Sequence, residues 1–193
     1  MLSSLRNLAY FPGIISGIKF KGLVVSNNML QCQVFLSLGT NCGDRLDYIL
    51  RMEQLLELIL EPPVKRSRIM ETEPVDVTDK QQWYLNRIIG AYYSESPTSL
   101  LKATQEIEKT LGRVGKGTMK SRTADIDILL FGNEIRDSDI LTIPHRGILT
   151  RRFNLEGLND IDGSIVIPGL QKSVKAILES NMTDLQLQGI RYI

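Results

Sequence analysis

The stretch Arg122-Thr123-Ala124-Asp125-Ile126-Asp127-Ile128-Leu129-Leu130-Phe131 governs how the rest of the chain is read. Its alternation of acid and isoleucine has the period of a β-strand, in which every second side chain shares a face. A strand over Ala124 to Phe131 turns Ile126, Ile128 and Leu130 into a core. Asp125 and Asp127 then project together from the other face, ~7 Å apart. Carboxylates that close repel each other unless a cation lies between them. Hard oxygen donors in this number suit Mg²⁺, which takes one or two carboxylates and completes its shell with water and substrate phosphates. A half-exposed strand that happens to carry acids on its polar face would look the same, so the flanks decide.

Upstream, Gly112 to Arg122 holds Arg113, Lys116, Lys120, Arg122 and three glycines, with no acid. Downstream, Pro144 to Phe153 holds His145, Arg146, Arg151 and Arg152, again with no acid, and His145 is the only histidine. Each run alone would be read as a solvated loop. Two of them bracketing a carboxylate pair, in a chain of net charge +1, read as a polyphosphate cradle completed by metal. A Walker A loop is excluded, because Gly117 is followed by Thr118, and no G-x-G-x-x-G joins a strand to a helix.

Further out, Gln33 to Leu38 reads as a strand. Asp44 caps a helix whose apolar positions are Leu46, Ile49, Met52, Leu55, Leu56 and Ile59, with Pro62-Pro63 ending the element. Ser67 to Thr72 predicts a second strand and Tyr84 to Ser94 a third. Ser96-Pro97 starts a second helix, lined by Leu100, Thr104, Ile107 and Leu111 and stopped at Gly112. With the strand at 124–131 the order is β-α-β-β-α-β. That is an α+β, ferredoxin-like sandwich with two helices on one face of a mainly antiparallel sheet. A looser C-terminal extension follows, with a strand at Ile165–Ile167 and a short helix from Ser173 to Glu179.

At 193 residues, 42% hydrophobic and 23% charged, the chain fits one ordinary globular domain. The absence of an apolar run of 18 residues and the near-zero net charge give no reason to expect a membrane or nucleic-acid partner. Cys32 and Cys42 form no C-x-x-C, which suits a reducing compartment, and a cytoplasmic monomer is expected. Residues 1–28 carry Arg6, Lys19 and Lys21 but no acid, and they fit no signal peptide. They read as an upstream extension, with translation starting at Met29 and a single catalytic domain over 29–193.

The segment 122–132, then Leu141-Thr142-Ile143-Pro144-His145 and Arg151-Arg152-Phe153, resembles the 6-hydroxymethyl-7,8-dihydropterin pyrophosphokinase family of folate biosynthesis. Ser37-Leu38-Gly39-Thr40-Asn41, Glu71-Thr72-Glu73-Pro74, Tyr84-Leu85-Asn86 and Gln105-x-x-Glu108 fall in that family's order. The resemblance implies transfer of pyrophosphate from ATP to a pterin hydroxymethyl group, with release of AMP and two Mg²⁺ ions on Asp125 and Asp127. It implies phosphate contacts from Arg113, Lys116, Arg122, His145 and Arg151, and a nucleotide within reach of Gln105 and Glu108. The pterin would meet Thr72, Val75, Tyr84, Asn86 and Phe153. An amide such as Asn86 satisfies a pterin's donor–acceptor edge as no aliphatic side chain could. The chain departs from the family in lacking a tryptophan in the loop before Arg122. Competing readings are a nucleotidyltransferase and a non-catalytic ligand-binding module. The first normally has Gly-Ser just before its Asp-x-Asp, which is missing here, and the second has no need of cations on both sides of a carboxylate pair.

Overall fold

The computed structural model describes residues 31–74, 81–113, 121–180 and 189–193. The expectations for residues 1–28, Val75 and Lys116 therefore lie outside the described residues. Strand β1, Cys32–Thr40, is the axis of the sheet. It alternates as a buried strand must: Val34, Leu36 and Leu38 enter one core, while Phe35 enters a second core on the opposite face.

On one side β1 pairs antiparallel with β4, Tyr84–Tyr93, and on the other with β5, Asp125–Phe131. Beyond β4 lie β2, Glu61–Arg66, and β3, Met70–Thr72. The sheet is antiparallel throughout, with the crossed strand order expected of a ferredoxin-like fold. The second strand expected at 67–72 is shorter, Met70–Thr72, and an unexpected strand, β2, precedes it. Pro62-Pro63 does not end the helix but sits inside β2, where the register with β4 shifts between Glu61 and Lys65. Proline has no N–H to give a ladder and is tolerated at such an edge irregularity.

Helix α1, Arg45–Glu57, is capped by Asp44, whose Oδ1 accepts the Asp47 N–H at 3.1 Å. Ile49, Met52, Leu55 and Leu56 are buried, but Leu46, expected on the same face, is 47% exposed. A step of three residues turns a helix roughly 60° short of a full revolution, which carries Leu46 off the apolar stripe. Helix α2, Pro97–Thr110, begins with the Ser96 Oγ accepting the Ser99 N–H at 3.1 Å. It ends before Gly112, which takes a φ of +82°. Both helices cover the face lined by Val34, Ile126 and Ile128.

The other face is covered as well. The C-terminal extension supplies α3, Arg152–Asp162, and α4, Val174–Ser180, packed over Phe35, Ile88, Leu129 and Leu130. The architecture is thus helices, sheet, helices, where two helices on a single face were expected. Gly157 lets α3 approach β4 closely, since a Cβ there would stand 2.2 Å from Ile88 Cγ1. Short hairpins complete this end: β6, Arg136–Asp137, with β7, Thr142–Ile143, and β8, Val166–Ile167, with β9, Lys172–Ser173. Strand β10, Ile190–Tyr192, extends the main sheet beyond β3.

One detail of β5 corrects the alternation read from the sequence. Leu36 pairs with Ile128 and Phe35 with Leu130, leaving Leu129 as a bulge. Ile126 and Ile128 share a core as expected, but Leu129 and Leu130 both join the opposite one. An extra residue in one strand shifts every later side chain to the other face.

Candidate active site

The strand register lays the site out as a band across the face that α3 covers. Thr72 pairs with Tyr84, Asn86 with Gly39, Gly39 with Asp125, and Ser37 with Asp127. Neighbouring strands lie ~4.8 Å apart, so Asn86 and Asp125, two strands apart, are separated by roughly 10 Å. Between them is Gly39, where a Cβ would lie 3.0 Å from Asn86 Oδ1 and 3.7 Å from Asp125 Cβ. The missing side chain leaves a floor of bare backbone between an amide end and a carboxylate end.

At the carboxylate end, Asp125 is held from two directions. Arg113 donates to its Oδ1 at 2.6 Å and Arg122 to its Oδ2 at 2.7 Å. Arg113, only 9% exposed in its side chain, also pairs with the buried Glu108. Asp127 faces His145 Nε2 at 3.8 Å and Arg151 Nη1 at 3.6 Å. His145 Nδ1 accepts the Gly147 N–H at 3.1 Å, which turns Nε2 towards the carboxylate. Loss of water and the neighbouring Asp125 raise the Asp127 pKa above its ordinary value, while His145, Arg151 and Arg113 act in the opposite sense. Burial works against the Arg122 charge, yet Asp125, Tyr84 and Asp127 leave its pKa raised.

These groups fit a magnesium site. Asp125 and Asp127 come from one face of one strand, as the alternation requires. Among the described residues no set of three or more His, Cys, Asp or Glu side chains converges. Two carboxylates with the other positions left to water and phosphate oxygens is the set Mg²⁺ prefers over a closed protein cage. Beside Asp127 lies a cavity of about 440 Å³, bounded by Leu101, Ile140, Leu141, Thr142, His145 and Arg146 among others. That is a volume suited to a small molecule. Of these lining residues His145 and Arg146 belong to the cationic run read as a phosphate cradle. Leu101 belongs to α2, and 138–142 to the β6–β7 hairpin, whose place beside β5 no local pattern announces.

At the amide end, Asn86 Nδ2 donates to Thr72 Oγ1 at 2.8 Å, and both side chains are buried. Tyr84 is half-buried, and the Arg122 guanidinium lies 6.0 Å from its ring centre, joining the two ends of the band. Phe153 is buried in the first turn of α3. Gln105 is half-buried on α2. Glu108, expected to reach the nucleotide, instead turns inward: its Oε1 accepts the Ile126 N–H at 2.7 Å and pairs with Arg113. A buried carboxylate needs such partners, and here it supports Arg113 and the start of β5.

Asn41 was missed as a site residue. Its N–H donates to the Arg122 carbonyl at 3.1 Å, its Oδ1 accepts the Arg122 N–H at 2.8 Å, and its Nδ2 donates to Gln81 Oε1 at 2.9 Å. One buried amide thus fastens the backbone of Arg122 to the segment leading into Tyr84. Its place in the Ser37–Asn41 motif and its polarity just beyond a strand end are the sequence signs that single it out.

A model of the family described as 7,8-dihydro-6-hydroxymethylpterin-pyrophosphokinase (HPPK) matches residues 35–163. The 2-amino-4-hydroxy-6-hydroxymethyldihydropteridine pyrophosphokinase of Bacillus subtilis is 39% identical over 128 residues, covering 66% of this chain and 76% of that protein. The enzyme of the same name from Aquifex aeolicus is 33% identical over 148 residues, covering 77% and 91%. The folic acid synthesis protein fol1 of Pneumocystis carinii is 32% identical over 169 residues, but this chain spans only 23% of its length. Among solved structures, Plasmodium falciparum HPPK-DHPS with pteroate superimposes with a TM-score of 0.64 at 16% identity, over 81% of this chain and 45% of that one. That likeness speaks for the fold. The family match runs from β1 through α3 and takes in every residue gathered along the band, so this chain belongs to the 7,8-dihydro-6-hydroxymethylpterin-pyrophosphokinase family.

Proposed function

We propose that this protein transfers the pyrophosphoryl group of ATP to the hydroxymethyl oxygen of 6-hydroxymethyl-7,8-dihydropterin. The observation that carries this reading is the band itself, with a cavity beside Asp127 at one end and the Thr72–Asn86 pair at the other. ATP occupies the cavity and turns its phosphates towards Asp125, Asp127, His145 and Arg151. The pterin lies against Tyr84 and Phe153, with Asn86 reading its amide edge. Its hydroxymethyl oxygen then faces the phosphate chain across Gly39. The acceptor oxygen attacks the β-phosphorus, the bond to the α-phosphate oxygen breaks, AMP departs and the hydroxyl proton is released.

Magnesium ions on Asp125 and Asp127 would neutralise charge on the phosphate oxygens during this displacement. The arginines have a related duty. Arg113 and Arg122 bind Asp125 as the chain stands, and both are placed to exchange that carboxylate for phosphate oxygens. Lys116, outside the described residues, is assigned to the same phosphates on its place in the sequence, and Val75 to the pterin. Gln105 keeps its proposed role near the nucleotide. The near-neutral charge favours small-molecule substrates over nucleic acid, and no described helix is long and apolar enough to cross a membrane. The free cysteines Cys32 and Cys42 are compatible with a reducing, cytoplasmic setting, and a monomer meets every requirement of the site.

The test is an assay with protein, Mg²⁺, ATP and the reduced pterin, following AMP against ADP. AMP formed in step with a pterin diphosphate is expected, and ADP as the product would refute the reaction. Asp125→Ala and Asp127→Ala should each lower turnover by ~10³-fold while leaving a folded protein. A chelator should stop the wild-type reaction. Unfolding of either variant would point to a structural role for the pair.

A further inference from the structure

Residues 189–193 belong to none of the motifs and lie beyond residue 163, where the family match ends, yet they touch β3, both ends of the connection from β3 to β4, and α3. Strand β10 pairs with β3 so that Ile190 stands opposite Thr72. Glu73 opens the loop from β3 to β4, and Trp83 closes it just before Tyr84. The Glu73 N–H donates to the Gly189 carbonyl at 3.2 Å, and the Gly189 N–H returns a bond to Glu73 Oε2 at 3.3 Å. At the far stem, the Arg191 guanidinium stacks 4.6 Å over the Trp83 ring. Gly189 fits between the two stems: a Cβ there would lie 3.1 Å from Glu73 Oε2 and 3.3 Å from Trp83 Cη2.

The next residue reaches the opposite wall. The Tyr192 hydroxyl donates to Glu156 Oε2 at 3.3 Å, on α3 and one turn from Phe153. Its ring lies 3.8 Å beneath the Arg68 guanidinium, which Asp160 of the same helix holds through both carboxylate oxygens. Four consecutive positions therefore grip Glu73, β3, Trp83 and α3.

We propose that residues 189–192 form a clasp for the acceptor site, with Arg191 and Tyr192 as positioning residues that set the spacing between Glu73, Trp83 and α3. The assignment rests on the activity proposed above and deepens its acceptor half. Its effect is one-sided. Asp125 and Asp127 lie on β5, separated from β10 by β3, β4 and β1, and Arg113 and His145 gather around them. Loosening the clasp therefore weakens the hold on the reduced pterin and leaves the hold on ATP.

Arg191→Ala and Gly189→Val test this in the full chain. Arg191→Ala should raise the KM for the pterin by ~5-fold, with kcat and the KM for ATP within about two-fold of wild type. Gly189→Val, which drives a side chain between Glu73 and Trp83, should do the same or more. An unchanged pterin KM in both variants would overturn the clasp. So would equal rises for both substrates alongside a lower melting midpoint, the mark of a merely structural strand. Calorimetric titration of the pterin into each protein separates the two ideas. Pterin bound by wild type without turnover would sink the activity alone, and equal affinity of wild type and Arg191→Ala would sink the clasp.

Discussion

Replacing Gly157 by alanine should destabilise the protein, and the structure says by how much and through which contact. The added methyl would stand 2.2 Å from Ile88 Cγ1 and 3.1 Å from Met70 Cε. Carbon atoms settle at ~3.5–4.0 Å, so the overlap exceeds an ångström. Ile88 and Met70 are both at 0% exposure, so neither has room to swing away, and α3 must lift from β4. Overpacking of this kind costs ~1–3 kcal/mol, and alanine regains ~1 kcal/mol over glycine inside a helix. With so severe an overlap, a net loss of about 2 kcal/mol follows. Phe153 lies one turn earlier at i, i+4, so it rises with the helix and the KM for the pterin should increase as well. The assay is urea unfolding of wild type, Gly157→Ala, Ile88→Ala and the double variant. Ile88→Ala alone leaves a cavity and should cost ~2–5 kcal/mol. In that background the 2.2 Å contact is gone and only the Ile88 Cβ and Met70 Cε contacts at 3.1 Å remain, so Gly157→Ala should cost less than ~1 kcal/mol or be neutral. The same cost in both backgrounds, within ~0.5 kcal/mol, would refute the contact as the cause.

Other expectations follow from the polar groups. Glu108→Ala strands the Ile126 N–H and half-frees Arg113, and should cost ~3 kcal/mol, while Glu108→Gln keeps an acceptor and costs less. Equal losses on urea unfolding would argue against the inward role of this carboxylate. Asn41→Ala releases the Arg122 backbone from the segment before Tyr84 and should slow turnover up to ~10²-fold, as small misplacements do. Unchanged turnover would mean that Arg122 is fixed elsewhere. Burial lifts the Tyr93 pKa above its ordinary 10.0, with Ser99 opposing and Glu95 adding to the rise. A pKa raised on folding gives stability that is present below the unfolded value and lost as pH rises through the folded one. Stability should therefore decline from about pH 10 upward, and Tyr93→Phe should flatten that decline. Identical alkaline profiles for the two proteins would refute the assignment.

The legible parts of the fold were those written in short-range chemistry. Asp44 and Ser96 announced their helices through side-chain caps, and both caps formed. The alternation around Asp125 placed the carboxylate pair correctly. Helix α3 was missed because it lacks those signs: Arg151 at its N-cap makes no side-chain capping bond, and its packing face includes Gly157 and the buried Asn154. Both residues weaken a helical pattern, yet Gly157 permits the close approach to Ile88 of β4 and Asn154 Nδ2 donates to the Gly147 carbonyl at 3.0 Å. The bulge at Leu129 leaves no mark on composition, so Leu130 was assigned to the wrong face. The partners of Glu108 depend on how α2 meets β5, and β10 joins β3 across more than a hundred residues of chain. The arrangement of the site was likewise hidden. The sequence named the cations around Asp125 and Asp127 but could not apportion them, Arg113 and Arg122 to one carboxylate and His145 and Arg151 to the other.

Trp83 is the only tryptophan in the chain, and it sits under Arg191 at the stem of the loop that leads into Tyr84. All indole emission therefore comes from one point, a single residue away from the proposed pterin contact. A reduced pterin absorbs in the region where indole emits, so its arrival beside Tyr84 is positioned to drain that light by energy transfer. ATP, which is transparent there, would act only through movement of the ring or its guanidinium neighbour. With the pterin at its proposed place, that one side chain would serve as an unlabelled optical gauge of acceptor occupancy.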